Sequence, residues 1–294
     1  MLIRELVMLS LTALMSSAFV NFPMGQAGFV PGPNGGIVSS NCVSAVQSGS
    51  TILNATSVRY PDGEIYRLPM NCSESTSAYP PDVNGWVENS IHYDGSGYSY
   101  LQDNWNVPAS PSNNNDPLIY LFDSLEESCR CNTIIQPVLA WGCAQYTLWW
   151  CSDGGHYWWF ASWYVHSGGY VRSSVINVNS GDYLTGQIQW YSGGGGNGCS
   201  NGFYNIMSQD NTKGQATNLS WCDSTLLPNA EPGVLEAYRL SSCNQLPNTS
   251  SITFSNLAST PSQNAWGTEI HVSSPSCGWA LGAGPTATTL YWHN

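Results

Sequence analysis

Along most of the chain, short runs rich in Val, Ile, Thr, Tyr and Trp are separated by clusters of Gly, Asn, Asp, Pro and Ser. Apolar residues at every second position mark a half-buried strand, whereas a helix needs them three and four apart. The strand pattern governs from Trp86 onward. It predicts strands at 85–93, 98–107, 118–125, 133–141, 157–166, 171–178, 183–191, 203–208, 215–221, 234–240, 252–257 and 286–292. One short helix competes at 121–128, with Asp123 placed to cap it. Many short strands at close spacing predict an all-β fold, an antiparallel β-sandwich of the jelly-roll kind.

The N-terminal pattern differs. Arg4 precedes an apolar run from Leu6 to Leu14, and Ser16-Ser17-Ala18 follows. That order reads as a signal peptide over 1–18, with cleavage after Ala27 as the alternative. The run is shorter than the roughly 20 apolar residues that span a bilayer. Residues 19–80 read as a loop-rich N-terminal extension or propeptide. They carry Pro31-Gly32-Pro33-Asn34-Gly35-Gly36 and Tyr79-Pro80-Pro81, both turn signals. This segment is near neutral, which argues against a basic prosegment built to cover an acidic cleft. Residues 81–294 are assigned to the sandwich domain.

Composition narrows the setting. Only 9% of the 294 residues are charged, well under the usual quarter or so, while Trp (13) and Tyr (16) are abundant. The net charge of −12 excludes tracking along a nucleic-acid backbone or an anionic membrane surface. The 10 cysteines, at 42, 72, 129, 131, 143, 151, 199, 222, 243 and 277, are an even set that reads as disulfides behind a signal peptide. Cys42 and Cys72 could close the N-terminal region as a loop. Cys129-x-Cys131 lacks the spacing of a zinc site, so no metal or other cofactor is expected. Triplets at Asn54, Asn71, Asn218 and Asn248 fit N-glycosylation. These features together predict a secreted, extracellular monomer.

Two loops look suited to a functional rim: 149–156, aromatic and turn-rich, and the glycine run 192–199. The latter lacks the Gly-Lys-Ser/Thr ending of a phosphate cradle. Chemistry points instead to two strands. Gln136 is the strong polar group in an apolar run and shares a face with Ile134, Val138 and Ala140 by alternation. Its bland alternative is an edge position beside Pro137. Glu236 shares a face with Val234, Tyr238 and Leu240, where burial would raise its pKa and suit it to acid–base work. Its bland alternative is a pair with Arg239. A glycosidase pair of Glu88 with Glu236 is a further option. Trp149, Trp150, Trp158, Trp159 and Trp163 could line a peptide- or sugar-binding face, or serve only as packing.

Several stretches resemble the glutamic peptidases, the eqolisin family. Ile134-Ile135-Gln136-Pro137-Val138-Leu139-Ala140-Trp141-Gly142 is similar to that family's glutamine-bearing strand, and Phe160-Ala161-Ser162-Trp163-Tyr164-Val165 to its aromatic strand. Asn179-Ser180-Gly181-Asp182-Tyr183-Leu184 looks like its turn into the next strand. Val234-Leu235-Glu236-Ala237-Tyr238, then Leu246-Pro247 and Ile252-Thr253-Phe254, look like the glutamate strand and its successor. Gly85-Trp86-Val87-Glu88-Asn89 and Trp105-Asn106-Val107-Pro108 also fit, so the resemblance runs from about Trp86 to the C-terminus.

The resemblance implies a concanavalin A-like sandwich with a cleft on its concave sheet, and a secreted acid endopeptidase acting on protein or peptide substrates. Carried over, the catalytic pair is Gln136 and Glu236, side by side, with Trp141, Trp159, Trp163 and Tyr238 binding substrate. The family's A-E-W-I-x-E pattern meets Ala230-Glu231-Pro232-Gly233-Val234-Leu235-Glu236 here, so Glu231 competes with Glu236. Glu236 is preferred because Pro228 and Pro232 place Glu231 in a turn. Gln-Pro-Val stands where the family has Gln-Thr-Gly. These departures leave a non-catalytic, lectin-like or cell-wall-associated binding protein as the alternative.

Overall fold

The computed structural model describes residues 29–34, 36–69, 83–129, 133–147, 150–193 and 198–294. Residues 1–18, expected to be a signal peptide, lie outside the described residues, as do Asn71, Cys72, Cys131, Trp149 and the centre of the glycine run.

The chain begins with strands β1 (Phe29–Pro31) and β2 (Ile37–Ser39). One 3-10 turn, Ser40–Cys42, leads into β3 (Val43–Ala45), β4 (Ser50–Asn54), β5 (Ser57–Arg59) and β6 (Ile65–Arg67). Then come β7 (Val83–Tyr98), β8 (Tyr100–Asn106), β9 (Leu118–Glu126), β10 (Thr133–Thr147) and β11 (Trp150–His166). They are followed by β12 (Gly169–Arg172), β13 (Ile176–Val178), β14 (Tyr183–Ser192), β15 (Gly202–Asp210) and β16 (Gln215–Cys222). The last are β17 (Leu227–Leu240), β18 (Ser251–Thr260), β19 (Gly267–Ile270), β20 (Ala280–Gly284) and β21 (Ala287–Tyr291).

Two large sheets form the sandwich. Sheet I has the order β19-β7-β17-β9-β10-β11-β12-β3, with β13 beside β11. Sheet II runs β20-β21-β18-β8-β14-β15-β16-β4-β5-β6. Pairing is antiparallel except for β3 with β12 and β4 with β16. The loop-rich reading of 19–80 therefore covers a segment that adds strands to the margins of both sheets.

The apolar residues sort by face. Trp105, Leu121, Leu139, Trp141, Trp158, Phe160, Leu184 and Phe254 pack between the sheets, as do Leu125, Ile135, Tyr164, Ile188 and Tyr204. A third cluster lies on the outer face of sheet I and joins Tyr120, Phe122, Val138, Trp159, Trp163, Val234 and Tyr238 to Val30 and Val38. The β1–β2 hairpin thus roofs the middle of that outer face.

The expected helix at 121–128 is corrected by this arrangement. Leu118–Glu126 is strand, buried at every position. A strand covered on both faces loses its apolar–polar alternation, so its sequence pattern no longer separates it from a buried helix. Asp123 caps nothing; its carboxylate sits between the sheets, against the place a side chain at Gly186 would occupy.

Candidate active site

The outer face of sheet I is built from three central strands. On β10, Gln136 is fully buried and shares its face with Ile134, Val138 and Ala140, following the two-residue period. β10 is an interior strand, between β9 and β11, so the edge reading of Gln136 fails. Pro137 has no N–H, and the β9 ladder is interrupted there: pairing runs Ile134 to Glu126 and Ile135 to Leu125, then resumes at Val138 with Phe122. In that register Gln136 stands opposite Ser124.

The next strand over brings a carboxylate to the same level. On β17, Glu231 pairs with Ser124, and Val234 pairs with Phe122. Three residues on β17 therefore match two on β9, a β-bulge at Pro232-Gly233 that keeps both Glu231 and Val234 on the outer face. Gly233 takes φ +90°, and a side chain there would press on Phe254 and Thr288. Pro232 needs no ladder donor at the bulge, and its carbonyl accepts a hydrogen bond from Ser90 Oγ. The expectation that the prolines put Glu231 in a turn is corrected: it lies within β17, fully buried. Ser124 Oγ donates to Glu231 Oε2 at 2.7 Å. Glu231, Ser124 and Gln136 thus form one rung. Strands lie about 4.8 Å apart, so the backbones of Gln136 and Glu231 are about 10 Å apart, with Ser124 between them.

Glu236 is on the same face and also buried, but it pairs with Tyr120, and Ala140 is the β10 residue opposite Tyr120. Ala140 is four residues from Gln136, about 13 Å along the strand. Glu236 and Gln136 therefore share a face without standing side by side. Glu236 Oε1 accepts a hydrogen bond from the Tyr238 hydroxyl. Arg239 donates to the carbonyls of Asp116 and Cys143, at 2.8 and 3.0 Å. Its φ of +60° shifts the β17 register, so Leu240 turns into the inter-sheet core instead of following Glu236.

Of the residues expected to bind substrate, Trp159, Trp163 and Tyr238 lie on this face. Trp163 pairs directly with Gln136, and its ring lies 6.2 Å from Trp159 and 6.3 Å from Tyr120. Trp141 is a correction: it faces the opposite way and packs on Trp158 between the sheets, at 5.3 Å between ring centres. Alternation along β10 separates it from Gln136. Glu88 is another. It pairs with Leu235, an inter-sheet residue, whereas Trp86 pairs with Glu236, so Glu88 and Glu236 lie on opposite faces. Burial pushes the Glu88 carboxyl up to about 8, and the backbone N–H groups of Tyr291 and Ala280 offset only part of this. Sequence reading missed Ser124 because a lone Ser in an apolar run carries no signal until its neighbours across the sheet are known.

Over the rung sits the hairpin tip. Gln136 Nε2 donates to the Pro33 carbonyl. Tyr120 donates to the Pro31 carbonyl at 3.0 Å, and the Tyr238 hydroxyl lies 2.8 Å from the Gly32 carbonyl. Among the described residues, no group of three or more His, Cys, Asp or Glu side chains gathers to hold a metal ion. No helix among them is long and apolar enough to cross a membrane.

No family model and no curated protein sequence matches this chain. Among solved structures it is similar to scytalido-glutamic peptidase with a transition state analog inhibitor, at 16% identity and a TM-score of 0.48, covering 71% of this chain and 99% of that one. A second structure of that peptidase, with a peptide-based analog, gives 14%, a TM-score of 0.45, and 70% and 98% coverage. SCP-B, a member of the Eqolisin family of peptidases, in a complex with the tripeptide Ala-Ile-His, gives 13%, a TM-score of 0.43, and 70% and 98% coverage.

Proposed function

We propose that this protein is a secreted endopeptidase that hydrolyses peptide bonds with Gln136, Glu231 and an activated water. The observation that carries this reading is the shared rung: an amide and a carboxylate on one buried face, two strands apart. Glu231 takes a proton from that water as it attacks, and passes the proton to the leaving amine. Gln136 Nε2 donates to the oxygen that gains charge in the tetrahedral intermediate. Ser124 holds the Glu231 carboxylate in position. Trp159, Trp163 and Tyr238 form the surroundings of the substrate. Glu236 serves as a neighbouring acid on the same face, tied to Tyr238.

The test is cleavage of a denatured protein in acid, between about pH 2 and 5, by the secreted form and by variants whose folding has been checked. Gln136→Ala and Glu231→Gln each lose about 10²–10³-fold in kcat, the scale seen when a single transition-state donor is removed. Glu236→Gln keeps most of the activity. The reverse ranking of the two glutamates would transfer the base role to Glu236. Absence of cleavage by a chain whose outer face has been freed would end the peptidase reading.

A further inference from the structure

We propose that the outer face of sheet II is a separate binding site for a linear, neutral polysaccharide, on the side of the sandwich away from Gln136 and Glu231. The proposal stands independently of the peptidase reading.

The central strand carries it. β14 lies between β8 and β15. Leu184 and Ile188 turn into the space between the sheets, so alternation sends Tyr183, Thr185, Gln187, Gln189 and Tyr191 to the outer face. Aromatic rings thus stand at both ends of one strand, with amides between them. Tyr183 and Tyr191 are about 27 Å apart along the strand. They are 37% and 47% exposed. Tyr191 is stacked on Phe203 of β15, at 5.1 Å between ring centres, and the Tyr183 hydroxyl accepts from Asn256 at 3.0 Å. Two rings so far apart are reached together only by a polymer. A sugar ring suits each of them, because its C–H face packs on the aromatic ring while its hydroxyls stay at the rim.

The amides between the rings are oriented from within. Gln187 Nε2 donates to Gln102 Oε1 at 2.9 Å and to the Tyr100 hydroxyl at 3.2 Å. Gln189 Nε2 donates to the carbonyls of Ser99 and Trp190, at 3.2 and 2.9 Å. On β15, Asn205 Oδ1 accepts from Asn218 at 3.0 Å. Each internal bond uses one half of an amide and fixes the other half. Oε1 of Gln187 and Gln189 remain as acceptors, and Nε2 of Gln102 and Nδ2 of Asn205 as donors. Such a mixed set matches hydroxyl groups, which donate and accept at once, and its orientation is settled before a ligand arrives.

Charge decides the class of polymer. No residue that β8, β14, β15 or β16 turns outward is charged, although the chain carries −12 overall. The nearby acids point elsewhere. Asp103 and Asp210 are fully buried, and Asp182 pairs with Lys213 at 2.5 Å in the turn before β14. A nucleic acid or an acidic polysaccharide meets no cation on this face. A protein partner meets amides where an interface is most apolar. A neutral polyhydroxyl chain fits on every count. Bound in this way, the protein is held on a wall or matrix polysaccharide with the face of Gln136 and Glu231 turned away from the support.

The experiment measures retention of the full chain on insoluble β-1,3-glucan and on cellulose, with de-esterified pectin as the acidic control. The wild type is retained on at least one neutral glucan, is released by soluble oligosaccharides of the same linkage, and passes over pectin. The pair Tyr183→Ala with Tyr191→Ala, and separately the near-isosteric Gln187→Glu, each weaken retention about tenfold, the scale of one or two lost contacts. Thermal melts check that both variants are folded. Tyr157→Ala removes a ring of comparable exposure, 44%, from sheet I and leaves retention unchanged. No retention on either glucan, or equal retention on pectin, overturns the proposal. So does retention that survives both sheet II variants. A dimer in sedimentation that the same variants dissociate, with no glucan retained, gives the face to a second copy of the chain and overturns it as well.

Discussion

Gln136 and Glu231 stand on one rung of sheet I, separated only by Ser124 on the intervening strand β9. The level is set by one local irregularity: a Pro-Gly bulge on β17 brings Glu231 down to Ser124 while leaving Val234 and Glu236 on the same face. Pro137 on β10 interrupts the ladder beside Gln136 without shifting its register. Without the bulge, alternation would turn Glu231 and Val234 to opposite faces.

Ser124 is a positioning residue for this pair. Its hydroxyl favours the ionised form of Glu231, because a donor to a carboxylate stabilises the charge. In Ser124→Ala the Glu231 carboxyl titrates at higher pH, and the acid limb of the kcat/KM profile moves upward. Activity at the optimum falls by about tenfold, the scale of one hydrogen bond to a charged group. A uniform loss with an unmoved pH profile would make Ser124 merely structural.

Glu88 makes stability depend on pH. Its proton is held more tightly in the fold than in the unfolded chain, since burial raises the carboxyl from 4.5 to about 8. The associated stability is fully present below the ordinary carboxylate value and is lost as pH rises from there toward 8. Glu88→Gln should therefore leave stability near pH 4 almost unchanged and raise it at pH 7 by about 3 kcal/mol, at roughly 1.4 kcal/mol per pH step. Denaturant melts at the two pH values check this.

Asp103 and Asp123 face each other between the sheets beside Gly186, and both carboxyls are pushed well above the usual range. For Asp103 the cause is burial and then the charge of Asp123; for Asp123 it is burial. The sign is the same as for Glu88: the pair holds its protons in acid and strains the fold as pH rises. Asp123→Asn is expected to stabilise the protein by about 1–3 kcal/mol near neutral pH. In acid it has little effect. Thermal unfolding across pH measures the difference, and equal gains at both ends would contradict it.

The glycosylation triplets should not behave alike. Asn54 and Asn248 are exposed. Asn218 accepts from Ser48 at 3.2 Å and donates to Asn205 at 3.0 Å, within the β4–β16 margin of sheet II. In a secretory host, mass mapping of glycopeptides should find sugar at Asn54 and Asn248 and none at Asn218.

The chain's own pattern of residues is enough for the fold class and the face of Gln136. Alternation in Ile134-Ile135-Gln136-Pro137-Val138 is a local property, and the buried set on the outer face follows it. It also brought both glutamates of β17 into view. Level and depth arise only when the sheets assemble. Pro232 reads locally as a turn, but cross-strand pairing with β9 absorbs it as a bulge, so the choice between Glu231 and Glu236 depends on a register that no single strand contains. The same holds for β9, whose unbroken burial hides its alternation, and for Trp141, placed by which sheet lies behind it. The Pro31–Gly36 stretch is marked as turn-forming by its residues alone. That it turns onto Gln136 follows from donors on β9, β10 and β17, which are remote in sequence and meet only when the sheet is assembled.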